Sequence, residues 1–203
     1  MSDSRPALFG GDVSTPTLPA GLVLVPEYLS VPQSDWIFQI LESAHAEDWL
    51  DDLQRRVMHF GYRYDYRARK ASLASFIGPL PPWVDRLGKR LLRDGYGDVP
   101  FDQMIVNEYL PGQGISAHVD CEPCFGSTIA AISLFSQCIM RFRSRLGTDW
   151  VDVTLPERSL VVMTGASRYD YTHEIAPRKS DVIDGVQRLR RRRVSLTFRA
   201  VVL

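Results

Sequence analysis

The segment Arg193-Val194-Ser195-Leu196-Thr197-Phe198-Arg199 constrains this chain more than any other. Successive side chains of a strand point to opposite faces. Arg193, Ser195, Thr197 and Arg199 therefore share one face, and Val194, Leu196, Phe198 and Ala200 share the other. The apolar face needs a cover, which helices can supply. The polar face then points inward, where two arginines need anionic partners, because a buried charge is tolerated only when paired. Two guanidinium forks with two hydroxyls between them make a slot for a dicarboxylate.

Upstream lie His118-Val119-Asp120 and, separately, His173. In a strand from Ile115 to Val119, His118 and Asp120 would project on one side, an imidazole beside a carboxylate. His173 would arrive from a later strand. Two histidines and one carboxylate form a facial set suited to Fe(II), with positions left open for an oxidisable cosubstrate and O2. Asn107 and Tyr109 are also two apart and share a face. Their amide and phenol can join the two arginines in fixing both ends of a five-carbon diacid.

The rest of the chain supplies a frame for these groups. At 203 residues it suits one domain, and 45% hydrophobic content is ordinary for a globular protein. Residues 1–20, rich in Ser, Pro, Gly and Thr, are expected to be a loose arm, and residues 21–203 a single domain. Leu22 to Val25 predicts a strand. A helix opened by Ser30 or Ser34 carries Trp36, Ile37, Ile40, Leu41 and Ala44 at helical spacing. A second starts at Pro81-Pro82, with Trp83, Val84, Leu87 and Leu91 inward, and ends at Gly95-Tyr96-Gly97.

After about Phe101 short strand patterns separated by turns predominate: 103–110, 115–119, 128–135, 139–145, 150–154, 160–164, 168–173 and 193–202. Roughly eight closely spaced strands predict a mostly β jelly roll, with the N-terminal helices packed outside it.

The ordered set Asn107-x-Tyr109, Pro111-Gly-Gln-Gly114, His118-x-Asp120, His173 and Arg193-x5-Arg199 resembles the AlkB family of Fe(II)- and 2-oxoglutarate-dependent dioxygenases, over roughly Leu53 to Val201. Leu160 to Tyr169, leading to Thr172-His173, is similar to that family's approach to its distal histidine. The resemblance implies a double-stranded β-helix in which His118, Asp120 and His173 bind iron and Asn107, Tyr109, Arg193 and Arg199 bind 2-oxoglutarate. It further implies oxidation by O2, with release of succinate and CO2, and of formaldehyde from an N-methyl base.

By the same resemblance residues 53–72 are a candidate nucleotide-recognition lid. Within them His59 to Lys70 interleaves aromatic and cationic residues, so Tyr62, Tyr64, Tyr66 and Arg67 are candidate substrate contacts, able to stack on a base and touch phosphate. An edge strand with the three tyrosines on one face is the plain alternative. Leu53 to Tyr62 and the Ser167-Arg-Tyr-x-Tyr-Thr-His173 approach are most similar to the branch acting on wobble uridines of tRNA. Eukaryotic members of that branch carry an RNA-recognition module and a methyltransferase domain, and these residues have room for neither. Repair of alkylated DNA or RNA is therefore expected first, with the same chemistry on a tRNA wobble uridine, a protein or a small molecule as the alternative.

Formal net charge is zero, which excludes a globally basic nucleic-acid binder. Of the Arg188 to Arg193 run only Arg193 is given a role. Cys121, Cys124 and Cys138 are too few for a disulfide scaffold and are read as packing residues or incidental thiols, consistent with a reducing cytoplasm. No apolar run reaches bilayer length, so no membrane partner is expected, and a monomer is.

Overall fold

In the computed structural model, which describes residues 18–51, 53–66 and 73–202, the alternating segment near the C-terminus is a central strand. The first half of the chain runs β1 (Leu22–Val25), α1 (Val31–Glu42), β2 (Arg56–Phe60), α2 (Pro82–Arg93), β3 (Gln103–Tyr109) and β4 (Ile115–His118). There follow β5 (Ile129–Leu134), β6 (Cys138–Ser144), β7 (Trp150–Leu155), β8 (Leu160–Met163), α3 (Gly165–Tyr169) and β9 (Tyr171–Ile175). β10 (Ser180–Ile183), β11 (Val186–Leu189) and β12 (Arg193–Arg199) complete it.

Six strands form one sheet in the order β1-β8-β5-β12-β3-β2, and four form a second in the order β4-β9-β6-β7. Among the described residues every pairing of these strands is antiparallel. The two sheets face each other as a double-stranded β-helix, the expected jelly roll. Among the described residues no helix is long and apolar enough to cross a membrane.

Alternation along β12 divides the core in two. Val194, Leu196 and Phe198 are fully buried and pack with Ile37 and Leu41 of α1 and Val84 and Leu91 of α2 on the outer face of the large sheet. Each such side chain contributes about 1.5–3 kcal/mol when buried. The second cluster lies between the sheets and includes Ile129, Ala131, Phe142, Val161 and Ile175. The helices thus sit outside, where the pattern put them. Ser30 caps α1: its Oγ accepts from the Gln33 N–H at 3.3 Å, and the Gln33 side chain accepts from the Ser30 N–H at 3.0 Å. Ser34 lies inside the helix instead.

Two expectations are corrected, and one element is added to them. The strand expected over 168–173 is divided: α3 takes Gly165–Tyr169, opened where the Thr164 N–H donates to Ser167 Oγ at 3.1 Å, and only then does β9 begin. The strand expected over 115–119 stops at His118, and its pairing with β9 shifts between Ile115 and His118. The hairpin β10–β11 was not anticipated. It turns on Asp184 and Gly185, both at positive φ, the backbone demanded by a tight two-residue turn.

The candidate metal centre and its cavity

Between the sheets lies a cavity of about 700 Å³ whose lining includes His118, Asp120 and His173. His118 and His173 face each other in register on β4 and β9, ring centroids 4.3 Å apart. Asp120 follows the end of β4. One ligand atom from each of the three residues lies within 4.8 Å of the other two, a spacing that a single metal ion bridges. His118 Nδ1 is 2.8 Å from the Ser116 carbonyl, which can only accept, so the proton sits on Nδ1 and Nε2 keeps its lone pair for a metal.

Asp120 is held without strand geometry. Its Oδ1 accepts from Arg199 Nη2 at 2.9 Å, and its carbonyl accepts from Arg168 Nη1 at 2.9 Å. Burial alone would push the Asp120 carboxyl up; the Arg199 cation, with Arg168 adding to it, outweighs burial and holds the carboxyl well below its ordinary range. Burial lowers His173 to about 3, with His118 next to it adding to the effect. An ionised carboxylate and a neutral imidazole are the protonation states a divalent metal requires. Two imidazole nitrogens with one carboxylate fit ferrous iron, and these residues form a metal-binding site.

The inward face of β12 adjoins the metal ligands. Registers pair Arg193 with Tyr109, Ser195 with Asn107, and Arg199 with Gln103 across to β3. Asn107, Tyr109, Arg193 and Arg199 all line the cavity and are at most 8% exposed. Arg193 Nη2 donates to Ser133 Oγ at 2.7 Å, yet its Nε and Nη1 are buried with no hydrogen-bond partner among the described residues, as is Nε of Arg199. A buried donor left unmade costs about 1–3 kcal/mol. Two buried arginines with unspent donors at the wall of a cavity are the complement of an anionic guest, and they fit a dicarboxylate.

The tyrosines separate. Tyr64 and Tyr66 line the cavity, with their rings 5.1 Å apart and Tyr64 5.4 Å from Phe125. Tyr62 does not line it; its ring lies 5.2 Å from Phe76. β2 ends at Phe60, and Gly61 at φ 80° brings its Cα so near the Asp102 carbonyl that a Cβ would lie 1.8 Å from the oxygen. Strict alternation therefore cannot continue through Tyr62, Tyr64 and Tyr66. Arg67, with residues 68–72 of the expected lid, lies outside the described residues.

Three groups near the site escaped sequence reasoning. Arg168, 2% exposed, bridges the carbonyls of Asp120 and Cys121. Ser133 holds one end of Arg193, and Arg55 lines the cavity beside Asn107. Ser133 could have been found from the small inward residues of β5; nothing marks Arg55 or Arg168 among 21 arginines. Two more arginines of the basic run are occupied elsewhere: Arg190 grips Asp181 through two bonds of 2.6 and 2.8 Å, and Arg192 pairs with Glu108. The reading of three unpaired thiols is corrected. Cys121 and Cys124 are joined as a disulfide that closes the loop after Asp120, and Cys138 alone is free and buried.

A family model described as the 2OG-Fe(II) oxygenase superfamily matches residues 21–199. A protein of Macaca fascicularis named tRNA (carboxymethyluridine(34)-5-O)-methyltransferase ALKBH8 is 40% identical over 177 residues, covering 82% of this chain and 26% of that protein. The alkylated DNA repair protein ALKBH8 homolog of Arabidopsis thaliana is 32% identical over 204 residues, covering 89% of this chain and 58% of that protein. The solved structure of OsALKBH1 superposes with a TM-score of 0.68 at 18% identity, covering 90% of this chain and 99% of the other. This chain therefore spans about a quarter of the macaque protein and under two thirds of the plant one.

Proposed function

The chain belongs to the 2OG-Fe(II) oxygenase superfamily, in its AlkB family, and we propose that it oxidatively removes alkyl groups from bases of DNA or RNA. It is an Fe(II)- and 2-oxoglutarate-dependent dioxygenase. Iron, when bound with 2-oxoglutarate and O2, supplies the insertion of one oxygen atom into a C–H bond as the diacid leaves as succinate and CO2.

This chain's own residues do the holding. His118, Asp120 and His173 present the metal-binding atoms. Arg193, Tyr109 and Asn107 would bind one end of the diacid, with Arg199 beside Asp120 at the metal end. On an N-methyl base, oxygen insertion gives a hydroxymethyl amine; its C–N bond breaks, formaldehyde leaves, and the nitrogen regains a proton.

One observation carries the assignment to a nucleobase. Tyr64, Tyr66 and Phe125 gather at the cavity that holds the metal ligands, and aromatic faces stack bases at about 1–3 kcal/mol each. About 700 Å³ leaves room for a planar base beside a five-carbon diacid. A second reading, oxidation of a tRNA wobble-uridine side chain, draws support from the 40% identity to the macaque protein named for that nucleoside. To test the choice, the iron-loaded protein is incubated with 2-oxoglutarate and either methylated oligonucleotides or total tRNA. Formaldehyde release with a 14 Da mass loss from the oligonucleotides supports dealkylation. A 16 Da gain confined to tRNA supports the wobble reading, and unchanged nucleic acid in both pools rejects both.

A further inference from the structure

We propose that Arg55 is a positioning residue for the cosubstrate, acting through Asn107 to set which end of that amide faces the diacid. The inference rests on reading the cavity as a 2-oxoglutarate site.

Arg55 precedes β2, is 8% exposed and lines the same cavity as Leu53, Tyr64 and the metal ligands. Its Nε–H donates to Asn107 Oδ1 at 3.0 Å, a bond buried at both ends. A guanidinium has donors only, so the oxygen of the amide must be the atom facing Arg55. The Asn107 NH2 is thereby turned the other way, where its contacts to the Ile105 carbonyl and Thr197 Oγ1 are long, at 3.4 and 3.5 Å. Contacts of that length leave donor capacity unspent. Thr197 belongs to the inward face of β12, between the two arginines that suit the carboxylates.

The sign of the amide matters. An NH2 turned toward a dicarboxylate donates to it; the flipped amide would offer a carbonyl oxygen, lone pair against lone pair. Arg55 prevents the flip. The same guanidinium lies 5.6 Å from the centre of the Tyr109 ring, and that of Arg193 lies 5.4 Å from it, so two cations flank the phenol. Arg55 thus joins the segment carrying Tyr64 to the residues suited to the diacid.

Calorimetry of 2-oxoglutarate binding to the Mn(II)-loaded protein tests this without turnover. Arg55→Met is expected to raise Kd about tenfold, as for a lost charge-assisted bond. In an Asn107→Ala background the same change is expected to matter less than about twofold, because residues acting as one unit are not additive. Arg55→Lys keeps a cation but lacks the Nε–H, and serves also if Arg55→Met fails to fold; it is expected to lose affinity too. An unchanged Kd in either single variant, or an equal loss with and without Asn107, overturns the role. A failure of the unaltered protein to bind 2-oxoglutarate would overturn both this role and the cosubstrate site, whereas an effect confined to Arg55 variants leaves that site standing.

Discussion

Arg199 and Asp120 form a buried ion pair, Nη2 to Oδ1 at 2.9 Å, that ties the last strand of the large sheet to the metal ligands. Asp120 has left β4 before its side chain reaches the site, so its carboxylate is aimed by the arginine rather than by strand pleat. One oxygen is engaged by Arg199, which leaves the other for a metal.

The two arginines of β12 should therefore differ when replaced. Arg199→Met is expected to weaken Mn(II) and 2-oxoglutarate binding together, because it frees Asp120 as well as removing a cation. Arg193→Met, whose partners are Ser133 and the Tyr109 ring, is expected to weaken only 2-oxoglutarate, by about 10- to 100-fold for a loss of about 1.5–3 kcal/mol. Calorimetric titration of metal and diacid into each variant separates the two.

The opposite face of the same strand should answer in stability alone. Leu196 is fully buried in the cluster beneath α1 and α2, and Leu196→Ala is expected to cost about 2–5 kcal/mol through lost burial and a residual void. Denaturant unfolding would read the loss, while 2-oxoglutarate affinity of the folded variant stays that of the unaltered protein.

Much of this was legible in the sequence for a physical reason: the period of two in Arg193–Arg199 survives because one face meets helices and the other a polar cavity. The two prolines at 81–82 and Ser30 marked helix starts by their local chemistry. What escaped depended on distant partners. No local signal says that Arg168 will reach the Asp120 carbonyl, or that Arg55 will meet Asn107, 52 residues away. A one-faced tyrosine stripe does not form because Gly61 breaks the alternation where the chain passes Asp102, a contact made by tertiary structure. Cys121 and Cys124 lie three positions apart, but spacing alone does not separate a disulfide from free thiols.

The separation of the tyrosines is testable. Tyr64→Ala should lower kcat/KM for a methylated oligonucleotide by about tenfold, the value of one lost stacking contact, whereas Tyr62→Ala should change it less than about twofold. Steady-state formaldehyde release reads both, with 2-oxoglutarate affinity as the control for an intact cavity.

His59 should make the protein acid-sensitive. Burial first, then the cations Arg199 and Arg63, lower its pKa from 6.5 to about 4, and its Nδ1 accepts the Tyr64 N–H at 3.1 Å. The folded state therefore keeps the ring neutral while the unfolded chain takes up a proton as pH falls below 6.5. Its stabilising contribution is whole above pH 6.5 and declines toward about pH 4, by at most about 3 kcal/mol. Urea unfolding at pH 7.5 and pH 5 should show a steeper loss for the unaltered protein than for His59→Gln.

Anaerobic titration of 2-oxoglutarate into the Fe(II)-loaded protein, followed by visible absorption, asks whether the three ligands and the arginine slot serve one centre. A saturable charge-transfer band is expected, absent in His118→Ala and His173→Ala and shifted to higher diacid concentration in Arg193→Met. A missing band in the unaltered protein, or an undiminished one in His173→Ala, would contradict a shared iron and diacid site between the two sheets.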